Sequence, residues 1–557
     1  MARLPRLTAR AALLALAVTA ALDGCSTKGK RARYTPGAAA KVLNVDMGAI
    51  PPAIAARVDS GTRPNWVSKE GWSRVGSLYK SYNNNPLWLE ERGAKDRAAA
   101  LIDAIKHAPD HGLETSAYPL AQLEAVVDAK RLTDTASART LADADVMLTS
   151  AYVAYASDML IGQIDPKKVS QSWFTGSGVK ERDSSIVAAL QDSDMTAALA
   201  AMAPQDSDYA VLKRALARYR QIAAAGGWTP VTQGMSDSLL LRAVHARHVP
   251  EMSDSSHSGE TDIHTGLDSA TEAAHAKRAA RSPLAAELVR FQTHHGLSAT
   301  GKLDKETLAA LNITAEQRVQ QIAANMERHR WLPRTLGSRY IYVNVPSFRL
   351  DAYDSGQKVL SMRVVVGSEY QGRTTPAFSD SMEVAVFRPY WNITPDIQRL
   401  EIEPKVASNP GYLEAENMEY YKDGGATRIR QRPGGKNALG LVKFLFPNDF
   451  NIYLHDTPAK TLFAQDNRAA SHGCIRVEKP AELAQWVLGW DAARVDAAMN
   501  SGADNHTVKL PHKIPVYIVY FTAYVRDGEL VFADDLYGRD DALERQLATP
   551  TTVTAAT

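Results

Sequence analysis

From about residue 65 to 225 the apolar positions recur at helical spacing. Leu148, Tyr152, Tyr155 and Met159 fall at i, i+4, i+7 and i+11, one face of a helix, and core packing is the simplest use for such a stripe. Gly226-Gly227-Trp228-Thr229-Pro230 breaks the pattern. Residues 250–280 are polar and rich in Ser, Asp and His, as expected of a loop or linker. The stretch 284–312 returns to helical spacing, with Leu284, Leu288 and Phe291 on one face, a tight loop at Gly296 and Gly301, and Asp304 placed to cap a second helix carrying Leu308 and Leu311. Beyond 338 the period changes to two. YIYVNVP, FRLDAYD, KVLSMRVVVG, MEVAVF (382–387), VKFLF (442–446), NIYLH (451–455) and PVYIVYFTAYV (515–525) read as strands, with Asp354-Ser355-Gly356 as a hairpin turn. Between about 391 and 440 the strand signal lapses into a Pro-, Asn- and Gly-rich insert. AELAQWVLGW (481–490) reads as a single amphipathic helix, and the tail after about 545 as disordered. The pattern predicts an α+β multidomain chain, helical first and β-rich afterwards.

Composition narrows the function classes. At 557 residues the chain is long enough for two to four domains. Its formal net charge of +2 gives no broad electrostatic case for nucleic acid. The N-terminus reads as a targeting segment: Arg3, Arg6 and Arg10 precede a short apolar run, 11–22, too short for a comfortable membrane span. Leu22-Asp23-Gly24-Cys25 then resembles a bacterial lipobox, in which the cysteine is acylated; Asp23 departs from the usual motif, and a plain secretory signal is the alternative. Ser26, rather than Asp, follows the cysteine, which in such lipoproteins favours the outer membrane.

Only two cysteines occur, Cys25 and Cys474. If Cys25 is acylated, Cys474 has no disulfide partner in an oxidising compartment, so it is either buried as a small hydrophobe or used. Its neighbours, Ser471-His472-Gly473-Cys474-Ile475-Arg476, favour use. A thiol becomes a strong nucleophile when a base takes its proton. His472 is two residues away; His455 ends the NIYLH strand, and a base on a different element faces the sulfur more freely, so His455 is assigned as general base and acid. Asp456 or a backbone carbonyl would orient the imidazole. Gly473 allows close backbone approach, and the Cys474 amide with a neighbour could form an oxyanion hole. Arg476 is placed to pair with a substrate carboxylate or internally. His455, His472 and Cys474 lack the spacing and helper ligands of a zinc site, and His257, His264 and His275 lack metal spacing too, so no metal site is expected.

LHDTPAKTLFAQDNRAASHGCIRV resembles the signature of the L,D-transpeptidases with a YkuD-type catalytic domain. LYKSYNNNPLWL, HGLETSAYP, IGQIDP, GGWTP, NMERHRWLP, PYWNITPDI and IRQRPGGKNALGLVKFLFPN are similar to the large YcbB-type members. The FQxxxGL spacing with Thr300-Gly301-Lys302-Leu303-Asp304 resembles a three-helix peptidoglycan-binding domain. The resemblance implies that Cys474 attacks a peptidoglycan tetrapeptide stem, that D-Ala leaves, and that a second stem's amine completes a 3→3 cross-link. It implies roles for Ser471, His472 and Gly473 at the pocket and oxyanion site, for Arg476 at a stem carboxylate, and for Trp391 and Asn392 in a substrate-capping insert. The resemblance implies no metal or organic cofactor, and carbapenems are expected to acylate Cys474. The expected partners are peptidoglycan stems, a membrane through lipid on Cys25, and a D,D-carboxypeptidase supplying the donor; the expected location is the periplasm, anchored to the outer membrane. The resulting organisation is a signal segment (1–25), tether (26–64), helical scaffold (65–230), peptidoglycan-binding-like domain (231–315, polar insert 250–280), catalytic domain (338–535, capping insert about 391–440) and tail (540–557). An L,D-carboxypeptidase or other stem hydrolase, and a non-catalytic lipid-anchored peptidoglycan-binding protein, are the alternatives.

Overall fold

A computed structural model describes residues 46–89, 95–127, 137–169, 173–174, 179–247, 282–369 and 372–548. The N-terminal basic and apolar segment, Cys25, His257, His264 and His275 lie outside them. No helix among the described residues is long and apolar enough to cross a membrane.

The first half is helical. Helices α1 (Lys69–Ser81), α2 (Ala138–Ile161) and α3 (Ser207–Ala224) each begin on a Ser or Asp whose side chain accepts a backbone N–H of the first turn. The α2 stripe Leu148, Tyr152, Tyr155 and Met159 is buried as its spacing predicted. Asp145, on the same helix, is fully buried. Its carboxylate accepts the amides of Leu87 (2.9 Å), Trp88 (2.9 Å) and Leu89 (3.2 Å) and the Tyr79 hydroxyl (2.6 Å), so one acid holds the NNNPLWL turn against α2. Asp145→Ala leaves those donors buried without an acceptor, and we expect a loss of about 3–5 kcal/mol, read as a lower thermal midpoint. Asp145→Asn, which keeps one acceptor oxygen, is expected to lose less.

The next unit has three short helices, α4 (Asp237–His245), α5 (Pro283–His294) and α6 (Lys305–Leu311), around Val231, Leu240, Val244, Leu288, Phe291 and Leu311. Asp304 caps α6 through the Thr307 amide at 2.8 Å. The buried Gln292 amide pins the intervening loop by donating to Thr300, Lys302 and Thr307 and accepting from Gly301.

Helix α7 (Ala315–Arg330) joins this helical half to the sheet, starting with a reciprocal cap between Thr314 and Gln317. Ile322 and Met326 pack into the scaffold core, while Ala324 and Trp331, just past the helix, pack into the sheet core. Its fully buried Glu327–Arg330 pair is held from outside the helix: Glu327 accepts the Ile164 amide at 2.8 Å, and Arg330 donates to the His111 carbonyl and the Tyr209 hydroxyl, each at 2.9 Å.

The strands are β1 (Trp173–Phe174), β2 (Arg339–Asn344), β3 (Arg349–Asp354), β4 (Gln357–Gly367), β5 (Ala377–Phe387), β6 (Trp391–Asn392), β7 (Met418–Asp423), β8 (Ala426–Gln431), β9 (Val442–Leu445), β10 (Leu454–His455), β11 (Ala469–Ser471), β12 (Ile475–Val477), β13 (His506–Val519), β14 (Ala523–Arg526) and β15 (Glu529–Phe532). The main sheet runs β1-β5-β13-β2-β3-β4-β12-β10-β9, and β9 pairs back to β5, so the strands from β5 round to β9 close into a ring. Ile341, Val343, Leu350, Ala352, Val364, Leu454, Ile475 and Val516 fill its interior. By the alternation of strand side chains, the residues between them face outward. Ser355 and Gly356 form the β3–β4 turn, both at positive φ, as the Asp-Ser-Gly signal predicted.

Three expectations change. The 391–440 insert is not strandless: β6, β8 and β7 form a small sheet over Ile393, Ile402, Met418 and Ile429. Its strands are short and mostly polar on their outer faces, which hid the alternation. The 515–525 run is two strands, because the chain leaves β13 after Val519 and pairs β14 with β15 instead of continuing. The 481–490 segment is helical as its pattern predicted, over Pro480–Leu488, and a further helix, Ala492–Asn500, capped by Asp491, follows it. The tail does not begin at 540: Arg539–Leu547 is helical, with Leu543 in the sheet core and Asp540 bound to the buried Arg328.

Candidate active site

The order of the ring brings the chemistry together. β10 and β12 are parallel neighbours in the register Leu454↔Ile475 and His455↔Arg476. With Leu454 and Ile475 inside, Tyr453, His455, Cys474 and Arg476 fall on the outer face of adjacent strands. β9 flanks β10 on its other side and sets Lys443 opposite His455. Thus one outward patch gathers a thiol, an imidazole, a phenol and two cations from three strands.

Cys474 is partly exposed. Its Sγ lies 3.5 Å from the Asn451 carbonyl, and the Tyr453 amide and hydroxyl also hydrogen-bond it. Burial pushes the thiol up to about 11, against the lowering pull of those Tyr453 bonds and of Lys443 and Arg476. His455 is 4% exposed. Burial, followed by the nearby Arg476 cation, lowers it to about 3. Both shifts favour the neutral forms of the thiol and of the imidazole on this face. Its Nδ1 lies 2.5 Å from the Asp456 backbone carbonyl, which fixes Nδ1 as the protonated nitrogen and leaves the Nε2 lone pair as the base. Between the two orienting groups open at the sequence level, this hydrogen bond is to the carbonyl. The Asp456 carboxylate works elsewhere, accepting the Leu441 (2.8 Å) and Thr457 (2.7 Å) amides and pairing with Lys460 (2.6 Å). Gly440 packs so close to it that a Cβ there would stand 2.3 Å from the Asp456 carboxyl carbon.

The thiol's high value has a measurable consequence. Its thiolate fraction rises with pH up to about 11, so carbamidomethylation of Cys474 by iodoacetamide is expected to be slow at neutral pH and to climb roughly tenfold per unit until that range. A plateau near pH 8, the ordinary thiol range, would contradict this reading of the site.

The other sequence candidates divide. Ser471 is buried; its hydroxyl donates to the Cys474 carbonyl (2.5 Å) and accepts the Gly473 amide (3.2 Å), bracing the turn that presents the thiol. Gly473 sits at φ +114°, a conformation closed to other residues, with Ile452 3.1 Å from where a Cβ would be. His472 points to the insert: its Nε2 meets Glu401 at 2.7 Å, and Glu401 also pairs with Arg373 at 2.7 Å. Arg476 has a buried Nε with no protein partner. Trp391 packs within the insert and Asn392 is exposed, both on β6 and paired with β8, so neither belongs to the strand patch itself. Tyr453 and Lys443 were not singled out from the sequence. The available signal was their parity, since each lies an even number of residues from His455 or opposite it. Among the described residues no cluster of His, Cys, Asp and Glu could hold a metal ion.

Comparison with known proteins gives this arrangement its class. Residues 338–518 match the family model described as the L,D-transpeptidase catalytic domain, YkuD; residues 280–311 match "Putative peptidoglycan binding domain", and 73–216 match "Scaffold domain". A Haemophilus influenzae protein named "Putative L,D-transpeptidase" is 33% identical over 243 residues, 40% of this chain; the chain spans about half of that relative's length, 48%. Two solved structures show slight superposition. "Structure of the Ldtfm-avibactam carbamoyl enzyme" is 13% identical with a TM-score of 0.16, over 34% of this chain and 51% of that one. An L,D-transpeptidase (residues 123–326) from Xylanimonas cellulosilytica is 15% identical with a TM-score of 0.15, over 42% and 78%. The chain carries a YkuD-type L,D-transpeptidase catalytic domain, preceded by a peptidoglycan-binding domain.

Proposed function

We propose that this protein is an L,D-transpeptidase of the YcbB type that forms 3→3 cross-links between peptidoglycan stems through a thioester on Cys474. The observation that carries the reading is the β10–β12 register, which sets His455 and Arg476 side by side with Tyr453 and Cys474 on the same face. His455 Nε2 takes the thiol proton as Sγ attacks the carbonyl carbon joining the diamino residue's L-centre to D-Ala. The C–N bond breaks, D-Ala leaves as an amine carrying the His455 proton, and a thioester remains. The side-chain amine of a second stem then attacks, gives its proton to His455, and expels the sulfur, which regains that proton. The Tyr453 hydroxyl and the Cys474 amide can donate to the charge that develops on the carbonyl oxygen.

Arg476 links binding to chemistry. Its charge helps hold His455 neutral, and its buried Nε has no protein partner. A stem carboxylate paired with it would offset that charge and make His455 a better base when substrate is bound. The insert, tied by Glu401 to His472 and Arg373, stands over the loop that carries Cys474 and suits a cap that excludes water. Placement in the periplasm, with lipid on Cys25 holding the chain at the outer membrane and a D,D-carboxypeptidase supplying tetrapeptide donors, belongs to the same proposal.

The test is mass analysis of products from disaccharide-tetrapeptides. A cross-linked dimer lacking one D-Ala is expected. Tripeptide monomers alone would instead support the L,D-carboxypeptidase reading, and unchanged substrate would overturn both.

A further inference from the structure

A cavity of about 630 Å³ lies between the α5–α6 loop of the peptidoglycan-binding unit and the outer face of β3 and β4, with residues 466–468 as its far wall. That volume is within the range of ligand sites. The wall facing that loop supplies Arg349, Arg363 and Arg468, and β14 supplies Arg526. Arg349 and Arg363 are direct cross-strand partners, a like-charge pairing that works against the sheet. Arg468 stands close enough that both cations help lower its own pKa, after burial, to about 10. Arg363 pairs closely with Glu478, and Arg526 stands opposite Glu529 across the β14–β15 pair; Arg349 donates to the Ser361 hydroxyl and Arg468 to the Gln465 carbonyl. The Nε atoms of Arg349, Arg468 and Arg526 are buried with no protein partner. Among the acids around the cavity, Asp304 is engaged as the cap of α6, whereas Glu306, Asp466 and Asp534 are exposed on the rim. The cleft thus has a basic floor in which Arg349 and Arg468 form no ion pair among the described residues, and an acidic rim.

Its position says where the anion comes from. One wall is the peptidoglycan-binding unit. The other continues from Arg468 into β11 and the Cys474 turn, and Arg363 lies two residues along β4 from Val365, the strand partner of Arg476. Resting on the transpeptidase reading above, we propose that this cleft binds a second peptidoglycan stem peptide by its carboxylates, beside the stem engaged at Cys474. The floor guanidiniums take the carboxylates, and the rim acids suit the free ammonium of the diamino residue.

The full chain is sedimented with intact sacculi, with sacculi whose stem carboxylates have been amidated, and with glycan stripped of its stems. In parallel, acylation of Cys474 by a carbapenem is followed by intact-protein mass. Arg349→Gln with Arg468→Gln is expected to weaken retention on intact sacculi roughly tenfold. Amidation or stem removal should weaken wild-type retention similarly, and Arg468→Lys should recover part of it, while carbapenem acylation stays at the wild-type rate. Arg526→Gln, whose Nε has no protein partner to lose, should act in the same direction and covers the case of a misfolded double variant. Retention unchanged in both the double variant and Arg526→Gln, or equal wild-type retention on stem-free glycan, would overturn the proposal. Absence of carbapenem acylation in the wild type would overturn the enzyme reading instead, and the two failures are separately visible.

Discussion

Cys474→Ala is expected to leave no detectable transpeptidation, a fall on the order of 10⁴-fold or more, with no loss of folding. The thiol is the sole nucleophile on the β9–β10–β12 patch whose surroundings answer to proton removal: Tyr453 donates to it, and Lys443 and Arg476 favour its anion. Alanine removes the bond-forming atom and little else, because the sulfur packs at the edge of the ring's core and is partly exposed. The melting temperature is therefore expected to stay close to the wild type. Substantial turnover by a folded Cys474→Ala chain would remove the thioester from the account.

His455→Ala is expected to lower kcat by about 10²–10⁴-fold, the usual contribution of a positioned general base and acid, with a much smaller effect on KM. The variant also leaves the Asp456 carbonyl without its donor in a buried place, at a cost of about 1–3 kcal/mol. His455→Gln, which can still donate toward that carbonyl, separates the two effects: it should recover stability and leave kcat low. The pH dependence follows from the same burial. The folded imidazole is held at about 3, below the 6.5 of a free histidine, so the unfolded chain binds the extra proton first. Its contribution to stability is complete above about 6.5 and is lost as pH falls toward 3. His455→Gln is expected to flatten that part of the acid-stability curve.

Much of this site was legible in the sequence because it is local. The NIYLH strand and the SHGCIRV turn carry the base and the nucleophile within twenty residues, and a parallel pairing of β10 with β12 needs only one loop to join them. The β3–β4 turn and the α6 cap were legible for a similar reason, since Ser355-Gly356 and Asp304 act on their immediate neighbours. What escaped depends on distant partners. Asp456 and a backbone carbonyl read equally well as the group orienting His455, and distant partners decide between them: the Asp456 carboxylate is bound to Leu441, Thr457 and Lys460, while its carbonyl orients the ring. His472 reads as part of the pocket, yet it is paired with Glu401, 71 residues earlier, in an insert whose short strands left no alternation to see. Arg539–Leu547 looked like tail because its charged outer face masks Leu543 and Leu547, the two apolar side chains it packs against the sheet core. The closure of the ring through β5 and β9 is likewise a pairing across the insert that no local pattern announces.

The most direct measurement is to trap the acyl-enzyme. The protein is mixed with disaccharide-tetrapeptide, quenched in acid within the first turnovers, and weighed intact before proteolysis. The expected result is an adduct equal to the substrate minus D-Ala, mapped to the peptide containing Cys474, labile to hydroxylamine as a thioester and absent from Cys474→Ala. Product formation with no adduct on Cys474, or an adduct mapped to another residue, would contradict it.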